Sequence, residues 1–300
     1  MAEIIIHEVG PRDGLQMEER VVPTATKVRW IQRLIDSGVD VVQVGSFVHP
    51  TKVPQMADTD ALFPQLNAGK ATLSALVLNE KGLERGLAVG VGMFCMGVSA
   101  SETHSRKNTG MSVEEATGRI IAMAKQAIAA GKKAQVSVQS AFGCGYEGVV
   151  PREKVLNIAR AFADAGLRSI SLADTAGHAI PCQVEQMYAE ILALAPGIEA
   201  ACHFHDTYGL GLANCYAAMR AGATSIEASA AGLGGCPFTK IAGGNVCTED
   251  LVHALQRGGV RMDIRLDSII DVARDIAAFF GREMPGCVHR TGPITSGRHA

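Results

Sequence analysis

Net charge is what this 300-residue chain has least of. It carries 28 Lys and Arg against 30 Asp and Glu, a formal charge of −2. Without a basic excess there is no field to hold a polyanion, so nucleic acid is not expected as a partner. No apolar run reaches the roughly 18 residues of a membrane-spanning helix, so no membrane partner is expected either. The first nine residues lack a basic segment, and His7 breaks their short apolar run, so no secretory signal is expected. A cytoplasmic setting follows, in which the eight cysteines are reduced thiols rather than a disulfide framework. They include no Cys-x-x-Cys pair, which excludes a structural zinc module. Aromatic residues are also scarce, at 5%, whereas 33 glycines and 47% apolar residues point to many tight turns around a core of small aliphatics. That apolar content excludes intrinsic disorder, and no linker, low-complexity tract or charge block divides the chain.

What is present is an alternation. Eight short apolar runs, rich in Val, Ile and Ala, read as strands: Glu3–Val9, Val41–Phe47, Ala71–Val77, Val91–Val98, Lys133–Gln139, Arg168–Ala173, Glu199–Phe204 and Thr224–Ala228. Amphipathic segments between them read as helices over Thr24–Asp36, Lys81–Val89, Val113–Ala130, Pro151–Ala165, Cys182–Leu194 and Tyr208–Arg220, with a weaker one around Met56–Asn67 that Pro64 interrupts. Ser112 with Glu115 resembles a capping box, and Gly131, Gly166 and Gly222 sit where helices end. Asn245–Gln256 supplies an eighth helix. The alternation predicts a single (β/α)8 TIM-barrel domain over the whole chain, with the barrel at about 1–258 and a C-terminal helix and tail at about 259–300. A doubly wound sheet would carry a Gly-x-Gly-x-x-Gly turn after the first strand. The chain instead reads Val9-Gly10-Pro11-Arg12-Asp13-Gly14 there.

Polar residues collect at the carboxyl ends of the strands, where a TIM barrel places its chemistry. These are Arg12 and Asp13, then Gln43 and Ser46, then Gln139, Asp174 and Thr175, then His203, His205 and Asp206, and finally Cys236 and Asn245. His203 and His205 alternate along one strand and so share a face. Barrel closure lets Asp13, the two histidines and Asn245 converge. This oxygen and nitrogen set without thiolate favours Mg²⁺ or Mn²⁺, with Co²⁺ or Zn²⁺ as alternatives. The blander reading is two unrelated histidines at a strand end. Gly232–Phe238 is a glycine-rich loop with Cys236 at its centre, where a thiol can be exposed and its acidity tuned. Cys144, between two glycines, has a weaker claim of that kind. Cys95, Cys182, Cys202, Cys215 and Cys247 read as small buried hydrophobes. Arg12 could hold a developing oxyanion. Glu249 and Asp250 read as first-turn carboxylates on a helix dipole. Ser105–Asn108 reads as a solvated loop whose Lys107 and Asn108 could meet substrate.

Val9–Gln16 resembles the opening motif of the 3-hydroxy-3-methylglutaryl-CoA lyase family. Its Arg-Asp-Gly-x-Gln core and His203–Gly209 are shared with other metal-dependent barrel enzymes, while Gly232–Phe238 resembles the catalytic-cysteine signature of the lyases. Further matches are Ser46-Phe47-Val48, Val53–Met56, Phe142–Gly148, Asp206–Asn214 and Gly244–Asp250. The resemblance implies a retro-Claisen cleavage of an acyl-CoA thioester to acetyl-CoA and acetoacetate, a place in leucine degradation, and a homodimer or higher homo-oligomer. It implies Asp13, His203, His205 and Asn245 as metal ligands. Arg12 would stabilise the enolate, Cys236 would protonate it, and Asp174 and His203 are candidates for proton movement. Gln16, Gln43, Lys107 and Asn108 would line the substrate. One departure stands out: the family usually has Glu at the position of Gln43, and a bulkier residue at Gly45, which here would open space. An altered acyl substrate is one consequence. The alternatives are a Claisen-condensing synthase joining acetyl-CoA to a 2-oxo acid, and a barrel that binds an acyl-CoA without turnover.

Overall fold

The structure is a computed structural model that describes residues 4–49, 51–235 and 243–294. Eight parallel strands close into a barrel in sequence order. They are β1 (Ile5–Glu8), β2 (Val41–Ser46), β3 (Thr72–Leu76), β4 (Met93–Ser99), β5 (Lys133–Gln139), β6 (Ser169–Asp174), β7 (Glu199–Phe204) and β8 (Ser225–Ala228), with β1 pairing both β2 and β8. The surrounding helices are α1 (Thr24–Ser37), α2 (Thr59–Leu62), α3 (Glu80–Ala88), α4 (Glu102–Thr109), α5 (Val113–Ala129), α6 (Arg152–Asp164), α7 (Pro181–Leu192), α8 (Gly211–Arg220), α9 (Thr248–Arg257), α10 (Leu266–Phe280) and α11 (Val288–Thr291). The TIM barrel expected from the alternation is therefore present.

The differences have local causes. Pro64 confines the second helical region to the single turn of α2, flanked by 3-10 turns at Pro54–Met56 and Phe63–Gln65. The α5 helix opens on a complete capping box between Ser112 and Glu115. The expected loop at Ser105–Asn108 is helical, because Ser101 accepts the His104 N–H and nucleates α4. The eighth helix starts at Thr248 rather than Asn245, because residues 245–247 are extended and bridge to the sheet through His205–Asn245 and Ser229–Cys247. The described part of the tail is anchored at residues 287–289: Asp250 accepts the N–H groups of Cys287 and Val288, and Glu249 contacts His289 Nδ1 at 2.9 Å. Glu249 and Asp250 thus do more than favour the helix dipole.

Strand alternation divides the side chains. Ile6, Val42, Leu172, Cys202, Phe204 and Ile226 face the helices and are fully buried in the main core. The barrel interior is more polar. A small apolar plug of Val41, Met93 and Cys95, packed by Leu76, stands apart from the main core. Beside it His7 on β1 is fully buried, with Nε2 2.9 Å from Ser74 Oγ. Burial, assisted by the Arg12 and His203 charges and opposed by Glu227, lowers the His7 ring to about 4. The unfolded ring takes up a proton near the ordinary histidine value of 6.5, while the folded ring resists until about 4. Stability contributed by neutral His7 is therefore complete above that window and is lost as pH falls through it, by roughly 3 kcal/mol in full. The difference in unfolding free energy between wild type and His7→Gln should shrink by that amount between about pH 7.5 and about pH 4. Urea titrations at the two pH values measure it, and a constant difference would refute the assignment.

Candidate active site

The turn after β1 shapes the site. The amides of Arg12, Asp13 and Gly14 all point at the Val9 carbonyl, which coils Gly10–Gly14 into a wide helical turn. The coil is pressed against the loop after β8. A Cβ on Gly14 would lie 2.7 Å from Leu233 Cβ and 2.8 Å from Ser229 Oγ, so only glycine fits. Glu8 anchors both sides, accepting from the N–H groups of Gly10 and Ala230 and from Thr248 Oγ1. Burial outweighs these bonds and raises Glu8 to about 7.

Asp13, His203 and His205 meet above the barrel axis, all buried, with their ligand atoms within 4.8 Å of one another. Asp13 Oδ2 is 3.8 Å from His203 Nε2 and 3.7 Å from His205 Nε2. The two Nε2 atoms are 3.1 Å apart, close to the spacing that two bonds of about 2.1 Å make at a right angle. Asn245 donates to Asp13 Oδ2 at 2.9 Å and to the Leu233 carbonyl at 3.0 Å. Its own Oδ1 is buried with no hydrogen-bond partner among the described residues. An amide oxygen with no partner among the described residues, a carboxylate and two facing ring nitrogens are oxygen and nitrogen donors gathered at one point, and they suit a divalent cation. Burial works to raise Asp13, but Arg12 and the two rings outweigh it and hold the carboxyl well below the usual range, in its ligating form.

Arg12 is pinned at two nitrogens. Its Nη1 donates to Asp13 Oδ1 at 2.6 Å and its Nε donates to Gln43 Oε1. Its Nη2 has no hydrogen-bond partner among the described residues. Gln16 also donates to Asp13 Oδ1, at 3.1 Å. These groups open on a chamber of about 310 Å³, whose other wall carries Gln135, Ser137, Gln139, Ser171 and Asn108. Gly235, just before Cys236 in the chain, also lines it. Cys236 lies outside the described residues.

Other expected site residues stand elsewhere. Asp174 follows Leu172 in the strand alternation and faces away from the chamber. Its two oxygens accept the N–H groups of His178 and Ala179, so it caps the loop after β6. Burial outweighs those donors and raises its carboxyl. Lys107 is outside the chamber lining, with its ammonium 3.9 Å from the Tyr146 ring centroid. Gly45 opens no substrate space: a Cβ there would meet Thr59 Oγ1 at 2.5 Å, so Thr59 already fills it. Cys182 is exposed, because the inward stripe of α7 is Val184, Met187, Tyr188 and Ile191. Cys95, Cys202, Cys215 and Cys247 are buried as expected, and Cys144 is buried with its sulfur 3.1 Å from Ser101 Oγ.

Sequence reasoning passed over Glu227. It lies on β8 in register with His203 and contacts His203 Nδ1 at 3.0 Å. Burial works to raise its carboxyl, but the His203 hydrogen bond and nearby positive charge hold it at about 2. Alternation gives only its face: in Ser225-Ile226-Glu227-Ala228 the apolar residues face the helices, which turns Glu227 inward, while its pairing with His203 depends on the register of β7 and β8.

Three comparisons bear on this geometry. The family model described as HMGL-like matches residues 3–276. The hydroxymethylglutaryl-CoA lyase YngG of Bacillus subtilis is 37% identical over 284 residues, covering 94% of this chain and 95% of the relative. The (R)-citramalyl-CoA lyase of Chloroflexus aurantiacus is 36% identical over 305 residues, covering 98% and 96%. Among solved structures, an HMG-CoA lyase from Acinetobacter baumannii in complex with coenzyme A and 3-methylmalate superposes with a TM-score of 0.92 at 33% identity, covering 98% of this chain and 97% of that one.

Proposed function

Since the chain belongs to the HMGL-like family and is a carbon–carbon lyase of the hydroxymethylglutaryl-CoA lyase type, we propose that it cleaves 3-hydroxy-3-methylglutaryl-CoA or a closely related 3-hydroxyacyl-CoA to acetyl-CoA and a keto acid such as acetoacetate. The observation that carries this reading is the buried Asp13, His203 and His205 triad with the partnerless Asn245 Oδ1, set beside Arg12 over a chamber large enough for an acyl group.

Asp13, His203, His205 and Asn245 would hold the cation, for which Mg²⁺ or Mn²⁺ suits the oxygen-rich set best and Co²⁺ or Zn²⁺ next. When bound, a divalent cation acidifies a tertiary alcohol and neutralises a neighbouring carboxylate. The chain's own groups do the rest. Once the substrate hydroxyl has lost its proton to solvent, the alkoxide collapses to a ketone, the C2–C3 bond breaks, and its electron pair moves into the thioester as an enolate. Arg12 Nη2, the guanidinium nitrogen without a partner among the described residues, would donate to that enolate oxygen. The Cys236 thiol would supply the proton to the enolate carbon, completing acetyl-CoA. Gln16 would steady Asp13, and Asn108 would contact the acyl-CoA.

The test is a set of 3-hydroxyacyl-CoA thioesters, including 3-hydroxy-3-methylglutaryl-CoA and the one-methylene-shorter citramalyl-CoA, assayed with Mg²⁺ or Mn²⁺ for released acetyl-CoA. Metal-dependent release that EDTA abolishes is expected. Failure to cleave any of them would overturn the reading. Free CoA formed from acetyl-CoA and 2-oxo acids would favour a condensing synthase instead.

Gln43 bears on which thioester is preferred. A carboxylate in its place would accept the Arg12 Nε–H with a full charge and orient the guanidinium more firmly. Gln43→Glu is expected to raise kcat on 3-hydroxy-3-methylglutaryl-CoA several-fold. Steady-state rates of the two proteins at saturating Mn²⁺ decide it, and equal rates would mean that the position does not limit turnover.

A further inference from the structure

One buried carboxylate beside the site has no part in the chemistry above. Four strands meet on it. Glu227 of β8 accepts at Oε1 from Gln135 Nε2 on β5 at 2.6 Å and from Ser171 Oγ on β6 at 3.2 Å. Its Oε2 is 3.0 Å from Nδ1 of His203 on β7. An ionised carboxylate only accepts, so the nitrogen facing it must carry the hydrogen. A neutral imidazole has one N–H, and placing it on Nδ1 leaves a lone pair on Nε2. That lone pair points to the space shared with His205 Nε2 at 3.1 Å and Asp13 Oδ2 at 3.8 Å. His205 has no such holder, since its Nδ1 is buried without a hydrogen-bond partner.

We propose that Glu227 is a positioning residue that locks His203 in the Nδ1–H tautomer, which commits Nε2 to the cation and removes His203 from the proton-transfer steps. The inference rests on the reading that Asp13, His203, His205 and Asn245 hold a divalent cation. It accounts for the polar wall of the barrel: Gln135 and Ser171 satisfy the oxygen that His203 does not. A carboxylate behind a metal-bound imidazole fixes the ring's orientation and raises its basicity, and losing one typically costs 10–100-fold in metal affinity.

The same network predicts what an isosteric amide does. In Glu227→Gln, the donors Gln135 and Ser171 oblige the new amide oxygen to take the Oε1 place. Its NH₂ is then turned onto His203 Nδ1, which must become the acceptor, and the ring proton moves to Nε2, where it blocks the cation. Mn²⁺ titrations followed by electron paramagnetic resonance should show roughly 10–100-fold weaker binding in Glu227→Gln, with a much smaller loss in Glu227→Asp, which keeps an acceptor. At saturating Mn²⁺, the kcat of Glu227→Gln should recover to within several-fold of wild type. Two-bond ¹H–¹⁵N spectra of histidine-labelled, metal-free wild type, followed upward in pH until the His203 ring has lost its second proton, should report His203 as Nδ1–H. A folded Glu227→Gln with wild-type Mn²⁺ affinity would overturn the proposal. So would an Nε2–H signal for His203 in the wild type, a result that stands even if the variant does not fold. If wild type binds no Mn²⁺ at all, the cation reading fails, and the tautomer spectrum still decides the role of Glu227.

Discussion

Asp13→Asn should leave a folded barrel that releases acetyl-CoA at less than about one thousandth of the wild-type rate. The substitution keeps the shape of the side chain and removes its charge. In the wild type, Asp13 collects Arg12 and Gln16 on Oδ1 and Asn245 on Oδ2, and that second oxygen also faces both Nε2 atoms. An asparagine can still accept from Arg12, so the turn after β1 has reason to survive. What it cannot supply is the only carboxylate in the triad. Mn²⁺ affinity should fall with activity, and excess Mn²⁺ should not restore the rate. Circular dichroism and thermal melting of the metal-free proteins separate this from unfolding. Activity within tenfold of wild type would remove Asp13 from the ligand set, and with it the central chemical claim.

Arg12→Met should lower kcat by about 10²–10³ while leaving KM and Mn²⁺ affinity within several-fold of wild type. The reason is the way the guanidinium is held. Nε is committed to Gln43 and Nη1 to Asp13, so the group is fixed before substrate arrives and Nη2 is left to face it. A donor fixed in advance costs little reorganisation as charge builds on the enolate oxygen, and its benefit is confined to the transition state. Arg12→Lys should be nearly as slow, since an ammonium cannot span Gln43 and Asp13 while donating to a third group. If Arg12→Met instead raised KM and spared kcat, Arg12 would be a binding group and the enolate role would fall.

Both residues were legible in the sequence, because they sit together at the end of the first apolar run and barrel chemistry belongs at strand ends. His203 and His205 were legible for the same reason, with alternation placing them on one face. Asp174 shows that proximity to a strand end says nothing about face. Its parity with Leu172 sends it out to cap a loop. Glu227 was hidden in the reverse way. It occupies a short strand with one charged residue, and its importance appears only when β8 is set in register with β7. Gly45 read as a gap until Thr59, from a different element, was seen to fill it.

The sequence by itself determined the architecture and the chemical class of the site. A barrel of eight strands follows from local periodicity and turn chemistry, which each segment carries within a few residues. The candidate ligands follow from residue type at strand ends. The tertiary structure decided the wiring. Which carboxylate holds which ring, which nitrogen of Arg12 stays open, and which polar groups turn from the chamber depend on strand register and loop packing between residues far apart in the chain. Asn245 and Asp13, 232 positions apart, share a hydrogen bond only because the barrel closes. Net charge, the scarcest quantity in the composition, is therefore a poor guide to this protein: three of its buried charged residues, Arg12, Asp13 and Glu227, are gathered at one chamber, where burial makes each interaction stronger than the same pair would be in water.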